Sequence, residues 1–175
     1  MKFGEIFHLG VVVADLDKAV KIYTEELGYG PFEIMDGGFF DDAIVNGEIG
    51  PGLPMKSAIY RSGTYEIELI EPTGPSIYMD HLQKKGPGVH HVILKSEEKL
   101  KDVVEMAERV SGRPPRLMIQ LPNGTPIVAY ADLEEEAGLL LEIGGDMPMP
   151  EGPPPEGFGG PGGPGGPGMP GAPKA

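Results

Sequence analysis

Cysteine is absent from this chain of 175 residues. That excludes a disulfide, a thiolate metal ligand and a thiol nucleophile, and it suits a reducing cytoplasm. Basic residues are scarce: 14 Lys and Arg stand against 27 Asp and Glu, a formal charge of −13. Such a surface has little to neutralise phosphates with, so nucleic acid is not an expected partner. No apolar run approaches the roughly 18 residues of a membrane helix. The opening Met1-Lys2-Phe3-Gly4-Glu5 is broken by Glu5 before a secretory core can form. The expectation is a cytoplasmic protein that neither spans nor enters a membrane.

What is present is a pattern stated twice. Residues 6 to 14 are short, Val-rich and strand-like, and they carry His8. Asp15 is a candidate N-cap for a helix through Leu16, Ala19, Val20, Tyr23 and Leu27, which Gly28 closes. Phe32 to Asp36 reads as a short strand, 37 to 55 as a long loop, and Ser57–Arg61 with Tyr65–Glu71 as two strands around a turn. A linker from 73 to 88 holds one short helix through Ile77, Tyr78, His81 and Leu82. The second half repeats the plan. Val89–Lys95 is a strand carrying His91, and Ser96 is a candidate cap. Leu100, Val103, Val104, Ala107 and Val110 form an amphipathic helix that stops near Gly112. Strands follow at Leu117–Gln120, Pro126–Ala131 and Gly138–Ile143. Each half is β-α-β-β-β. Module one covers about 5–72 and module two about 89–145, within a domain of residues 1–145. From 146 to 175 Gly and Pro dominate, with five Gly-X-Pro triplets between Gly159 and Pro173, and a disordered tail is expected.

Each module places a His on its first strand and a Glu on its last: His8 and Glu68, His91 and Glu142. Two imidazoles and two carboxylates suit a hard or borderline divalent ion. Strand alternation sets His8, Gly10 and Val12 on one face and Leu9, Val11 and Val13 on the other, and each of the four candidates sits opposite the main apolar stripe. Rivals exist. Glu66 shares a face with Glu68, and Glu71 lies at the strand end. Alternation turns His90 away from His91, toward the helices. His81 lies on the linker, and the Glu134-Glu135-Glu136 run reads as an exposed turn.

These residues carry a resemblance that covers about residues 5 to 145. His8-Leu9-Gly10-Val11-Val12-Val13, Asp15-Leu16-Asp17-Lys18-Ala19, Glu66-Ile67-Glu68-Leu69-Ile70-Glu71-Pro72, Gly86-Pro87-Gly88-Val89-His90-His91-Val92 and Gly138-Leu139-Leu140-Leu141-Glu142 resemble the vicinal-oxygen-chelate superfamily. Its members include glyoxalase I, extradiol dioxygenases, bleomycin-resistance proteins and methylmalonyl-CoA epimerase. The resemblance implies an α+β fold in which paired βαβββ modules form a cupped mixed sheet with helices outside. It implies one divalent ion (Co, Zn, Ni, Mn or Fe) held by His8, Glu68, His91 and Glu142, and a homodimer. The stretch from Glu68 through Asp80-His81-Leu82-Gln83-Lys84 to His90-His91 looks most like methylmalonyl-CoA epimerase. That implies a metal-stabilised enolate, an acyl-CoA thioester substrate, Glu142 as one base and Glu48 as the nearest candidate for a second. Two departures stand out: Asp132-Leu133-Glu134 occupies the place of a His-Pro-Lys stretch, and the loop around Glu48 is longer. A glyoxalase-type lyase is the first alternative. An extradiol oxygenase and a non-catalytic drug-binding protein follow.

Overall fold

Ten strands form one sheet among the residues that the computed structural model describes, 1–36, 44–45, 48–49, 53–121 and 123–144. The strands are β1 (Phe3–Val12), β2 (Glu33–Asp36), β3 (Ile44–Val45), β4 (Glu48–Ile49), β5 (Met55–Arg61), β6 (Glu66–Pro72), β7 (Gly88–Ser96), β8 (Leu117–Gln120), β9 (Pro126–Leu133) and β10 (Leu139–Gly144). The helices are α1 (Leu16–Glu25), α2 (Ile77–Lys85), α3 (Leu100–Ser111) and α4 (Glu134–Ala137). Spatial order is β2-β5-β6-β1-β7-β10-β9-β8-β3-β4. The first eight places are two copies of one arrangement, β2-β5-β6-β1 and β8-β9-β10-β7, back to back. Within each copy the first and last strands pair in parallel, β1 with β6 and β7 with β10, and the copies join where β1 meets β7 antiparallel.

Alternation along these strands sorts their side chains onto two faces. On one face, α1 lays Leu16, Ala19, Val20 and Tyr23 against Val11, Val13, Ile67 and Leu69. On that same face α3 buries Leu100, Val103, Val104 and Ala107 against Val92, Ala129, Ala131, Leu141 and Ile143. Both helices lie outside, as the resemblance implies. The opposite face carries a third cluster, with Val12, Ile70, Tyr130 and Leu140, and α2 packs there through Tyr78. The linker helix is therefore part of the inner face.

Local chemistry explains the element ends. The Asp15 carboxylate accepts from Lys18 N and caps α1, while Glu71 Oε2 accepts from Leu16 N at 2.7 Å. The helix stops at Glu25, two residues earlier than the sequence pattern suggests, and Gly28 takes positive φ in the exit. Ser96 does not cap α3. Its hydroxyl accepts from Glu98 N in a local turn, and the helix begins after Lys99, which makes no side-chain cap bond. The long loop of 37–55 is interrupted: β3 and β4 form a ladder that joins the second module through β8, although they lie in the first half of the sequence. Glu134–Ala137 is a helical turn, exposed from Glu135 to Ala137 as expected, and Lys85 and Arg116 pair with Glu134 while Arg113 pairs with Glu135 and Glu136. The Gly-X-Pro tail lies outside the described residues. Among the described residues, no helix is long and apolar enough to cross a membrane.

Candidate metal centre

Register brings the four expected ligands to the seam between the modules. His8 pairs with Glu66 and Gly10 with Glu68 across β1 and β6. Gly10 pairs with His91 across β1 and β7, and Glu142 with Tyr130 across β10 and β9. His8, His91, Glu142 and Glu68 are all buried, the first at 0% exposure and the last at 6%. His8 Nε2 lies 3.4 Å from Glu68 Oε2, and His91 Nε2 lies 4.0 Å from the same oxygen. Ligand atoms of His8, Glu68 and His91 fall within 4.8 Å of one another. Glu142 enters from the His91 side, its Oε2 2.8 Å from His91 Nε2. The two imidazoles stack, with centroids 5.4 Å apart and planes 14° from parallel.

The donor set fits a divalent cation. His8 Nε2 and His91 Nε2 are buried nitrogens without a hydrogen-bond partner among the described residues, although each faces a carboxylate. Buried polar atoms are normally satisfied, so two such atoms aimed at one spot need an explanation. Charge gives the same answer. Among the described residues, Glu66, Glu68 and Glu142 bring three carboxylates to the seam, against the guanidinium of Arg61 and a protonated His8. Buried charge of one sign is tolerated where it is paired or coordinates a metal. Burial disfavours a charged His8, yet the carboxylates of Glu66 and Glu68 outweigh it and push the imidazole up to about 10. To act as a ligand, His8 would release that proton to solvent as the cation takes its place.

Glycine at position 10 makes room for the site. A Cβ built there lies 2.0 Å from His91 Cε1 and 2.2 Å from Nε2. The His91 ring occupies the place where any other residue would put its side chain. Behind Glu142 runs a chain of hydroxyls. Tyr130 Oη donates to Glu142 Oε2 at 2.9 Å, and Tyr78 Oη lies 2.7 Å from Tyr130 Oη. Tyr130 has one proton and gives it to the carboxylate, so Tyr78 is the donor in the second bond. Burial and the nearby glutamates hold both phenols well above their usual range, so they stay donors. Burial alone would raise Glu142, but His91, His8 and Tyr130 hold it below the ordinary carboxylate value.

His90 is not where alternation puts it. The β1–β7 register jumps from the Gly10–His91 pair to Val11–Val89, so His90 is the extra residue of a bulge. It lands beside His91, with the two Nδ1 atoms 3.0 Å apart, and its ring packs against Tyr78 and His81 of α2. Burial pushes it down to about 2, so it is a neutral ring. Glu48 is placed only as backbone in β4; its side chain lies outside the described residues. Glu71 is committed to the start of α1. Gly10, Tyr130 and Tyr78 are site-forming residues that the strand pattern did not flag for a role, while Glu66, named there only as a rival to Glu68, lies against His8. A glycine opposite a histidine on paired strands was the one available signal.

A family model described as the glyoxalase/bleomycin resistance protein/dioxygenase superfamily matches residues 7–115. Among solved structures, a glutamate-to-glutamine variant of Streptomyces coelicolor methylmalonyl-CoA epimerase in complex with 2-nitronate-propionyl-CoA is similar at 22% identity. It covers 81% of this chain and 96% of that one, with a TM-score of 0.53. Methylmalonyl-CoA epimerase from Mycobacterium tuberculosis is also 22% identical, over 82% of this chain and 88% of that one, at 0.52. A hypothetical protein from Bacillus halodurans is 20% identical, over 85% and 98%, at 0.53. These likenesses establish a shared fold. No curated protein matches the chain.

Proposed function

Because the chain belongs to the glyoxalase/bleomycin resistance protein/dioxygenase superfamily, we propose that it is a divalent-metal-dependent isomerase. It moves a proton on a carbon next to a carbonyl, as methylmalonyl-CoA epimerase does. The observation that carries this reading is the convergence of the buried Nε2 atoms of His8 and His91 on the carboxylates of Glu68 and Glu142, 3.4 and 2.8 Å away. Those four side chains would hold the cation. When bound, it supplies positive charge against the negative charge that grows on a carbonyl oxygen as the neighbouring carbon loses its proton.

The rest of the chemistry belongs to side chains. Glu142 is kept as a carboxylate by His91, His8 and Tyr130, and a carboxylate is the form that accepts a proton. Tyr78 and Tyr130 fix the orientation of that carboxylate through their shared hydrogen bonds. Inversion needs a second group on the far side of the carbon, and Glu48 is the candidate for it. The acyl-CoA compound bound in the similar S. coelicolor enzyme supports methylmalonyl-CoA as the first substrate to try.

The test is solvent deuterium exchange at the α-carbon of methylmalonyl-CoA with the cation-loaded protein. Exchange is expected, and Glu142→Ala is expected to slow it by at least about a hundredfold. Exchange no faster in the wild type than in Glu142→Ala rules the reading out.

One observation favours a second reading. Arg113, Arg116 and Lys85 are tied to Asp132 and to Glu134, Glu135 and Glu136, at the place where the resemblance to epimerases implies a His-Pro-Lys stretch. Cations so engaged are poor partners for the phosphates of coenzyme A. A lyase acting on a small hemithioacetal meets that condition, and turnover of methylglyoxal with a thiol distinguishes it.

A further inference from the structure

His8 is held at both nitrogens. Its Nε2 faces Glu68 at 3.4 Å, and its Nδ1 lies 3.3 Å from Glu66 Oε2. Glu66 and Glu68 are two residues apart on one face of β6, so they flank one ring. They are not equivalent. Glu68 also approaches His91 Nε2 and completes the ligand set, whereas Glu66 stands outside that set. Its second oxygen, Oε1, accepts from Arg61 Nε at 2.9 Å, and Arg61 is its cross-strand partner on β5. Arg61 Nη1 in turn donates to Glu33 Oε2 on β2 at 2.5 Å.

This is a line of hydrogen bonds across four neighbouring strands, β2, β5, β6 and β1. Side-chain exposure falls along it from 60% at Glu33 through 37% at Arg61 and 9% at Glu66 to 0% at His8. Each oxygen of Glu66 already has a partner, and Glu66 stands on the Nδ1 side of the His8 ring, opposite the Nε2 that faces Glu68. An imidazole that binds a cation through Nε2 must keep its proton on Nδ1, and an acceptor there fixes both tautomer and ring angle. Among the described residues His91 has no carboxylate in that role; its Nδ1 meets the neutral ring of His90.

We propose that Glu66, braced by Arg61, is a positioning residue: it accepts the Nδ1 proton of His8 and so turns the Nε2 lone pair toward the cation. The proposal rests on the metal reading given under Proposed function, and its test separates the two. The full chain is loaded with zinc(II) alone, and affinity is measured by competition with a chelator. Proton NMR follows the His8 Nδ1–H resonance, which hydrogen bonding to a carboxylate moves downfield. Glu66→Ala is expected to bind zinc about 10- to 100-fold more weakly and to lose that downfield signal. Glu66→Gln keeps an acceptor oxygen without the charge. It is expected to recover most of the affinity while the resonance moves upfield.

Wild type that binds zinc, with Glu66→Ala binding equally and its His8 signal unchanged, overturns the proposal and leaves the metal centre standing. Wild type that takes up no zinc overturns both. If Glu66→Ala does not fold, Glu66→Gln decides alone, and an unmoved resonance overturns the proposal.

Discussion

At the scale of single residues, the absence of a side chain at position 10 is as important as the side chains around it. The His91 ring stands where a Cβ would be, closer than any real contact allows. Gly10→Ala must push that ring off its present position. The expected results are at least about tenfold weaker cation binding and a stability loss of about 1–3 kcal/mol from overpacking, read by metal titration and by urea unfolding. Unchanged binding in this variant would place His91 outside the centre. Tyr130 offers a second test. Its hydroxyl serves Glu142 and receives from Tyr78, so Tyr130→Phe leaves a buried carboxylate short of a donor and a buried phenol short of an acceptor. The expected cost is about 1.5–3 kcal/mol. In Tyr78→Phe/Tyr130→Phe the two losses are expected to overlap, giving less than the sum of the single variants.

At the scale of elements, the acidic run at α4 illustrates what a sequence hides. Three successive glutamates read as a solvated turn, because the cations that meet them come from elsewhere: Lys85 at the end of α2, Arg113 beyond α3, and Arg116 ahead of β8. Asp132 and Glu134 are the titrating members. Burial raises both, but a backbone amide and Arg116 outweigh it for Asp132, and Lys85 and Arg116 do so for Glu134. Their folded values therefore lie below the ordinary 3.8 and 4.5. The stability they contribute is complete above those ordinary values and is lost as pH falls through the lowered ones. Arg116→Gln is thus expected to be less stable than wild type at neutral pH, with the gap closing as pH falls below about 4. Urea midpoints at several pH values check this, and a pH-independent gap contradicts it. The bulge at His90 and the ladder of β3 with β8 were hidden for a similar reason. Alternation describes a regular strand, so it sends His90 to the wrong face. Nothing in a Gly-rich loop says which distant edge it will join.

At the scale of the whole molecule, duplication made most of the architecture legible. Two strand-helix-strand-strand-strand runs predicted the two copies that meet at β1 and β7, and the matching positions of His8, His91, Glu68 and Glu142 predicted their convergence. Periodicity is local and survives in one sequence. The second tier of the site showed only as Glu66, a rival to Glu68; its place beside His8, and the parts of Gly10 and Tyr130, depend on cross-strand register, which appears only when strands are paired. The four proposed ligands are not symmetric: Glu68 lies within 4.0 Å of both histidines, while Glu142 lies 2.8 Å from His91. A cation bound at the seam also ties the two copies together. Loading with a tight-binding divalent ion is expected to raise the unfolding midpoint, with about 2.7 kcal/mol gained at a hundredfold excess over the dissociation constant. A chelator is expected to reverse the gain.

The central claim is that one imidazole and one carboxylate from each half meet on a single cation. Its most direct test is the metal content of purified chain dialysed against cobalt(II) or zinc(II), for wild type, His8→Ala and His91→Ala. The account predicts one ion per chain in wild type and loss of that ion in either variant. A wild type that stays empty, or variants that hold as much metal as the parent, would contradict it.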